Sequence, residues 1–130
     1  MIALQTIRTV SRPVWTLLLV VAGLAHVIVP EAFIAYYPTY LPWPTAAIYA
    51  SAVVEWLLAA MLWNARTQRT AWYAIAVLMV VYVPVHIYVV TDHHFIVNAP
   101  VEIPLWLAWV RLPWQFVLIG WAWWMSRGLT

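Results

Sequence analysis

Long apolar stretches alternate with short polar connections along the chain. The apolar stretches cover about residues 13–29, 45–63, 71–90 and 105–124. Each is close to the roughly 20 residues that an α-helix needs to cross a hydrocarbon core of about 30 Å. Strands of a membrane barrel would be about half as long and would alternate strictly between apolar and polar residues. The pattern therefore predicts four membrane-spanning helices.

Three connections hold most of the turn-forming residues: PEAFIAYYPTYLPWP (30–44), NARTQRT (64–70) and TDHHFIVNAPVEIP (91–104). The first is stiffened by prolines, and it carries apolar side chains that would be costly to leave in water, namely Phe33, Ile34, Tyr36, Tyr37 and Leu41. We therefore expect it to pack on the outer mouth of the helices.

The chain is predicted to form a single transmembrane domain over residues 1–130, an all-α integral membrane four-helix bundle. Pro84 and Pro113 lie inside the third and fourth apolar stretches. A proline within a helix removes one backbone donor and tends to bend the helix. We therefore expect the third and fourth helices to be kinked.

Composition agrees with a membrane protein. Hydrophobic residues make up 67% of the 130-residue chain and charged residues 8%, whereas about a quarter of a soluble domain is charged. The mean hydropathy is +0.89. There is no cysteine, which excludes disulfides and thiolate metal sites, and the net charge of +2 is too small to suggest a nucleic-acid partner. The apolar N-terminal stretch lacks a small-residue cleavage site, so we expect it to be retained.

The charges are divided between the two sides of the predicted bundle. One side carries five arginines, Arg8, Arg12, Arg66, Arg69 and Arg127, and the other carries Glu31, Asp92 and Glu102. By the positive-inside rule the arginine side is cytoplasmic. The expected location is a bacterial-type inner membrane, with multiple spans and both termini in the cytoplasm. Tryptophans near the boundaries, including Trp15 and Trp72, are expected to form aromatic belts.

Five polar residues fall inside the apolar stretches: His26, Glu55, His86, Arg111 and Gln115. At about 1.5 Å per helical residue, all five lie in the outer half of the membrane or at its midplane. Small residues flank Glu55 and His26 at helical spacing, which indicates that both face other helices. We predict that the five form a shared ligand-binding site, because ionisable residues inside a membrane are rare and usually functional.

Arg111 and Glu55 are natural partners for one another within this set. The planar guanidinium of an arginine favours a two-pronged bond to a carboxylate. The alternative is that Arg111 extends towards the outer headgroups while its aliphatic stem stays in the apolar layer. Pairing is the preferred interpretation, and a purely structural ion pair is one form of it.

Metal or haem binding is a weaker hypothesis. No metal site is expected, although His26, His86 and Glu55 are weak candidates for a two-histidine, one-carboxylate site, and the two histidines for axial haem ligands. The TDHH sequence at 91–94 could also bind a metal, but adjacent histidines in a loop usually point apart, which favours a solvated loop. Each isolated histidine is also compatible with a simple hydrogen bond between helices.

Five segments in order, AGLAHVIVPEAF, YLPWP, VVEWLLAAMLW, TQRTAWYAIAVLMVVYVPVHIYV and RLPWQFVLIGWAWW, resemble the DoxX-like family of small four-helix membrane proteins. The resemblance covers roughly residues 20 to 125 and implies a four-helix bundle. Some members of that family are membrane subunits of thiosulfate:quinone oxidoreductases or are linked with thiol and oxidative-stress redox systems. Its recurrent polar positions correspond to His26, Glu55, Arg111 and Gln115, whereas His86 stands where the family has asparagine.

The functional expectation is a small integral membrane subunit of a larger, redox- or quinone-linked complex. Its partners would be the lipid bilayer and other membrane subunits or further copies of the chain. The polar cluster would hold a lipophilic ligand, either a quinone or a lipid. The alternatives are a quinone- or lipid-binding oxidoreductase subunit that acts directly and a haem- or metal-binding bundle. The sequence identifies no catalytic residue.

Overall fold

The computed structural model describes residues 1–128, and within that range it contains helices and no strand. The all-α prediction is confirmed. The helices are α1 (Ile2–Ile28), α2 (Pro30–Ile34), α3 (Pro44–Met61), α4 (Gln68–Val81), α5 (Val83–Thr91) and α6 (Leu105–Arg127), with a short 3-10 turn at His93–Phe95.

Helix α1 departs most from the predicted boundaries, because it begins at Ile2 and not near residue 13. Its first turns mix polar and apolar residues and lie outside the predicted apolar stretch. They nevertheless contain good helix formers and side chains that bond back to the helix. Thr6 and Thr9 each donate a hydrogen bond to the carbonyl four residues earlier. The helix therefore extends beyond the apolar stretch, and Pro13 lies inside it.

The third apolar stretch is interrupted at Tyr82, where α4 ends and α5 begins. Pro84 has no backbone N–H to donate to the carbonyl four residues earlier, and its ring crowds the preceding turn. The interruption agrees with the predicted kink in the third helix. Helix α6, in contrast, continues through Pro113 without a break in its helical structure.

Within residues 1–128, three helical segments are long and apolar enough to cross a membrane, judged by length and composition. They are Ile2–Ile28, Pro44–Met61 and Gln68–Thr91, the last made of α4 and α5 together. Helix α6 has 23 residues, but several tryptophans, Arg111 and Gln115 lower its hydropathy. Because the indole ring has a polar N–H, tryptophan suits the membrane interface better than the hydrocarbon core.

The long helices associate as two close pairs, α1 with α3 and α4 with α6. Each pair has small buried residues: Gly23, Ala52 and Ala59 in the first, and Ala71, Ala76, Ala108 and Ala122 in the second. Small side chains let helix backbones approach closely. Contacts between the two pairs are fewer.

An aromatic cluster fills the space between the pairs near the arginine-bearing end. The Trp15 ring meets Trp72 edge-on at 6.2 Å and Trp121 at 5.5 Å. The Trp121 indole donates a hydrogen bond of 2.9 Å to the hydroxyl of Ser11. Trp15 and Trp72 are 1% and 0% exposed, so the prediction that they belong to an aromatic belt is wrong. Their size makes them the spacer between the helix pairs.

The two ends of the structure carry opposite charges, as the sequence predicts. At one end, Arg8 donates a 2.7 Å bond to the carbonyl of Gly128, and Arg12 lies over the Trp63 ring. These contacts bring together the start of α1, the end of α3 and the end of α6. Glu31, Asp92 and Glu102 lie on the connections at the other end.

The 30–44 connection packs on the rest of the chain, as predicted. Tyr36 is 7% exposed. Its hydroxyl donates to the carbonyl of Val101 and accepts from the N–H of Ile103, both at 2.7 Å. The Tyr40 ring lies edge-on to Tyr88 of α5. The connection is therefore tied to the 91–104 connection and to α5.

Candidate functional site

Glu55 is the centre of the buried polar site. It lies in α3, and only 2% of its surface is exposed. One carboxylate oxygen is 3.1 Å from Nδ1 of His26 on α1. The other accepts a 2.8 Å hydrogen bond from the hydroxyl of Tyr82. Both oxygens therefore have partners, and the partners come from two other segments of the chain.

His26 occupies the last turn of α1 and is 8% exposed. Its ring is held between two groups, the carboxylate of Glu55 and the ring of Phe33, which meets it edge-on with 4.2 Å between centroids. Phe33 belongs to α2, so the short helix after α1 covers the imidazole. The sequence predicts both the burial of His26 and the packing of this connection. In the structure, His26 is buried because the connection packs over it.

The backbones of α1 and α3 come close together one turn away from this pair. The indole of Trp56 lies directly against the Cα of Gly23, where any side chain would overlap it. The same indole N–H points to the carbonyl of Val20 at 3.3 Å. This contact fixes the separation of the two helices, and the residue after Glu55 is the one that makes it.

Tyr82 is a site residue that the sequence analysis missed. It stands at the interruption between α4 and α5, and its phenol reaches across from the α4/α6 pair to Glu55 of the α1/α3 pair. A signal was available in the sequence, because Tyr82 lies four residues before His86, one helical turn away on the same face. The signal is weak, because tyrosine is common in apolar helices.

The remaining predicted residues, His86, Arg111 and Gln115, form a second group on α5 and α6. Arg111 and Gln115 are the polar side chains close to the half-buried ring of His86. Gln115 is 4% exposed, and its amide nitrogen donates a 2.7 Å bond to the carbonyl of Met79. That carbonyl adjoins the interruption caused by Pro84, so Gln115 satisfies a backbone group beside it.

The prediction that Arg111 pairs with Glu55 is wrong. Glu55 pairs with His26 and Tyr82, and Arg111 is exposed on the surface of α6. The two residues lie on different helix pairs, and the Arg111 side chain is exposed although Gln115, one helical turn later on the same face, is buried. The alternative, in which the Arg111 side chain extends towards the outer headgroups, stays a prediction.

Metal ligands are not gathered in the described part of the chain. Among residues 1–128, no group of three or more histidine, aspartate or glutamate side chains is placed to hold a metal ion. His26 and Glu55 are adjacent, while His86 belongs to the second group. In the 91–94 segment, His93 forms a hydrogen bond to the backbone, with Nε2 at 2.7 Å from the carbonyl of Ile103.

The groups around Glu55 have complementary hydrogen-bonding roles. A carboxylate accepts hydrogen bonds, a phenol donates one, and a neutral imidazole has one donor and one acceptor nitrogen. With Glu55 ionised, Nδ1 of His26 carries its hydrogen and Nε2 presents a lone pair.

The comparisons with known proteins identify a family. Residues 15–126 match the family described as Domain of unknown function (DUF8561), so the chain belongs to that family. No curated protein matches the chain. No solved structure matches it either.

Proposed function

We propose that this member of the DUF8561 family is a small integral membrane subunit of a larger, quinone-linked complex. Its four long helical segments cross the membrane as a bundle, both termini are cytoplasmic, and the site between Glu55 and Arg111 binds a lipophilic quinone. The electron-transfer centre belongs to a partner subunit. This chain supplies the binding site and a group that exchanges protons.

One observation carries the proposal, namely the buried carboxylate of Glu55 within a helix apolar enough to cross a membrane. An ionisable residue in that position is costly, and such residues usually mark ligand or proton pathways. Its two partners, His26 and Tyr82, are groups that can themselves gain or donate protons. A purely structural contact between helices could be made by neutral amides or hydroxyls.

The packing of α6 supports a fourth crossing. With 23 residues it is about 35 Å long at 1.5 Å per residue, enough for a hydrocarbon core of about 30 Å. It packs along α4, and the polar Gln115 faces inwards. The exposed positions are mostly large and apolar, including Trp106, Trp109, Trp114, Phe116 and Val117. This surface suits lipid and a neighbouring subunit.

The two polar groups supply complementary halves of a quinone site. Quinone carbonyl oxygens accept hydrogen bonds, and Arg111 on α6 and His86 on α5 can donate them. Tyr82 lies one helical turn from His86 and bonds to Glu55, so it connects these donors to the proton-accepting carboxylate. A site of few polar groups in apolar surroundings is the usual form of a small-molecule pocket. The resemblance to DoxX-like proteins points to the same ligand class.

Quinone content tests the proposal directly. The protein would be purified from its native membrane in mild detergent, and bound quinone would be extracted and measured per mole of chain. We expect a stoichiometric amount in the native protein and at least a tenfold loss in Glu55→Gln. Glu102→Gln is the matched control, because it makes the same change at an exposed position. Equal quinone content in all three proteins would contradict the proposal.

Topology has its own test, because the chain has no cysteine to remove. Asp92→Cys should react with an impermeant thiol reagent added outside the cell, whereas Gln68→Cys should react only after the membrane is opened. The reverse labelling would invert the orientation. Purification under the same conditions shows whether a second subunit accompanies the chain, and recovery of the chain alone with its quinone would favour direct action without a partner.

A further inference from the structure

A groove runs along the surface between α4 and α6, starting at the arginine-bearing end. Its first part has a volume of about 290 Å³ and is lined by Arg69, Thr70, Tyr73, Trp123, Ser126 and Arg127. A second part of about 180 Å³ continues from it, sharing Tyr73 and Trp123 and adding Ala76, Val77, Val80 and Ile119. The groove is therefore polar and cationic at its mouth and apolar further in.

The mouth of the groove has two cationic groups, and no acidic side chain among residues 1–128 lines it. Arg69 and Arg127 lie on α4 and at the end of α6, facing the groove from opposite sides. All four acidic residues of the chain lie elsewhere, at Glu31, Glu55, Asp92 and Glu102. Within residues 1–128, neither guanidinium group forms an ion pair with an acidic side chain, so both can contact an external anion.

Aromatic rings hold the walls in place. The rings of Tyr73 and Trp123 pack across the groove with 5.7 Å between centroids. The guanidinium of Arg127 lies over the Trp123 ring at 5.5 Å. A cation held over an aromatic face is restricted in its motion and still presents its N–H groups outwards. Arg127 is thus positioned before any ligand arrives.

We propose that this groove binds an anionic phospholipid of the cytoplasmic leaflet. The phosphate would lie between Arg69 and Arg127, since a guanidinium forms two parallel bonds to phosphate oxygens. One acyl chain would lie along Val77, Val80 and Ile119. The inference rests on the membrane placement proposed above, but not on quinone binding.

The dimensions of the groove fit a lipid better than a free anion. Arg69 and Val80 are eleven residues apart, which is about 16 Å along the helix at 1.5 Å per residue. Half of a hydrocarbon core of about 30 Å is 15 Å. An acyl chain that starts at the phosphate level would therefore run the length of the groove and end near the midplane. Inorganic phosphate would use only the mouth.

Native mass spectrometry in a neutral detergent provides the test. The purified protein would be titrated with phosphatidylglycerol and, separately, with phosphatidylcholine carrying the same acyl chains. We expect tighter binding of phosphatidylglycerol. An arginine near an anionic lipid contributes about 1 kcal/mol, so Arg69→Gln and Arg127→Gln should each weaken binding about fivefold and together about 30-fold. Arg66→Gln removes an exposed arginine outside the groove and should change binding less than twofold.

The apolar part of the groove needs a separate variant. Val77→Trp fills it and should weaken phosphatidylglycerol binding at least fivefold, whereas Val81→Trp, at an exposed position outside it, should not. Circular dichroism of each variant confirms that it is folded. Equal binding of the two lipids, or equal losses from Arg66→Gln and Arg69→Gln, would overturn the proposal. Full competition by inorganic phosphate, with Val77→Trp unaffected, would also overturn it, because the site would then bind only an anion.

The proposed membrane placement can be tested separately from lipid binding. A chain released from membranes by an alkaline carbonate wash would contradict both this proposal and the proposed function. A chain that stays in the membrane and carries quinone but shows no lipid preference would contradict the lipid site alone.

Discussion

The α1/α3 pair and the α4/α6 pair each bury a polar contact between their helices, and the two contacts differ in kind. In the first pair, two titratable side chains meet, since the Glu55 carboxylate lies 3.1 Å from the His26 imidazole. In the second, a neutral amide meets the backbone, since Gln115 donates to the carbonyl of Met79. Tyr82 belongs to the second pair and bonds to the first.

One contact joins two ionisable side chains, and the other supports the backbone of a helix. The amide of Gln115 binds a carbonyl beside an interrupted helix, and it cannot change its protonation state in the physiological range. The Glu55–His26 contact joins two ionisable side chains and involves no backbone group. The Gln115 contact therefore supports the backbone of the α4/α6 pair, whereas the Glu55–His26 contact places two ionisable groups together inside the α1/α3 pair.

The largest effect is expected from Glu55→Ala, which leaves both His26 and Tyr82 without a partner in an apolar interior. The variant removes the shared acceptor of two buried donors, and a buried donor left unsatisfied typically costs about 1–3 kcal/mol. The free energy of unfolding would be measured by titrating the micelle-bound protein with a denaturing detergent. His26→Ala and the double variant complete a cycle, for which we expect a coupling of about 1–3 kcal/mol. Simple addition of the two losses would mean that the contact does not stabilise the pair.

Gly23→Ala tests how closely α1 and α3 approach. The added methyl group would overlap the Trp56 indole, and overpacking of this kind costs about 1–3 kcal/mol. Gly120→Ala on α6 is the matched control, because nothing lies within 4 Å of its added methyl group. Alanine is better than glycine inside a helix by about 0.5–1 kcal/mol, so the control should be neutral or stabilised. Equal changes in stability for Gly23→Ala and Gly120→Ala would contradict the close approach of α1 and α3 at Gly23.

A smaller loss is expected from Gln115→Met, which keeps the length of the side chain and removes its donor. Hydrogen bonds between membrane helices contribute about 0.6 kcal/mol on average and at most about 1.7. The same denaturing titration would measure the loss, with Gln5→Met at an exposed position as the control. Quinone content should be unchanged if Gln115 serves only the backbone. A loss of quinone without a loss of stability would instead assign Gln115 to the ligand.

The apolar pattern predicts much of this fold because burial of backbone polar groups dictates helices of a certain length. The predicted second stretch, 45–63, agrees with Pro44–Met61 to within two residues at each end. The neighbours Ala52 and Ala59 also indicate correctly that Glu55 faces another helix. These features depend on local sequence, which one chain is enough to reveal.

Partner choice could not be predicted because it depends on helix rotation and on which helices pair. The sequence places Glu55 and Arg111 at compatible depths, yet they belong to different helix pairs, and His26 and Tyr82 occupy both oxygens of Glu55. Trp15 and Trp72 likewise fall where a belt residue would, but the space between two helix pairs requires large side chains, so both are buried. In helices that are apolar on nearly every face, periodicity gives little information about which face is inside.

The smallest effect on stability is expected from Arg111→Gln, because Arg111 is exposed and Glu55 is already satisfied by two other groups. Exposed substitutions usually change the free energy of unfolding by less than about 0.5 kcal/mol, and the change should add to that of Glu55→Ala. Quinone content is the sharper measurement. If Arg111 donates to a quinone carbonyl, Arg111→Gln should lose most of the bound quinone while its stability without quinone stays the same, and Arg111→Lys should recover little, because an ammonium is a point donor and not a planar fork. Strong coupling between Arg111 and Glu55 in the quinone-free protein would instead show that the two side chains meet, and the distinction drawn between the helix pairs would fail.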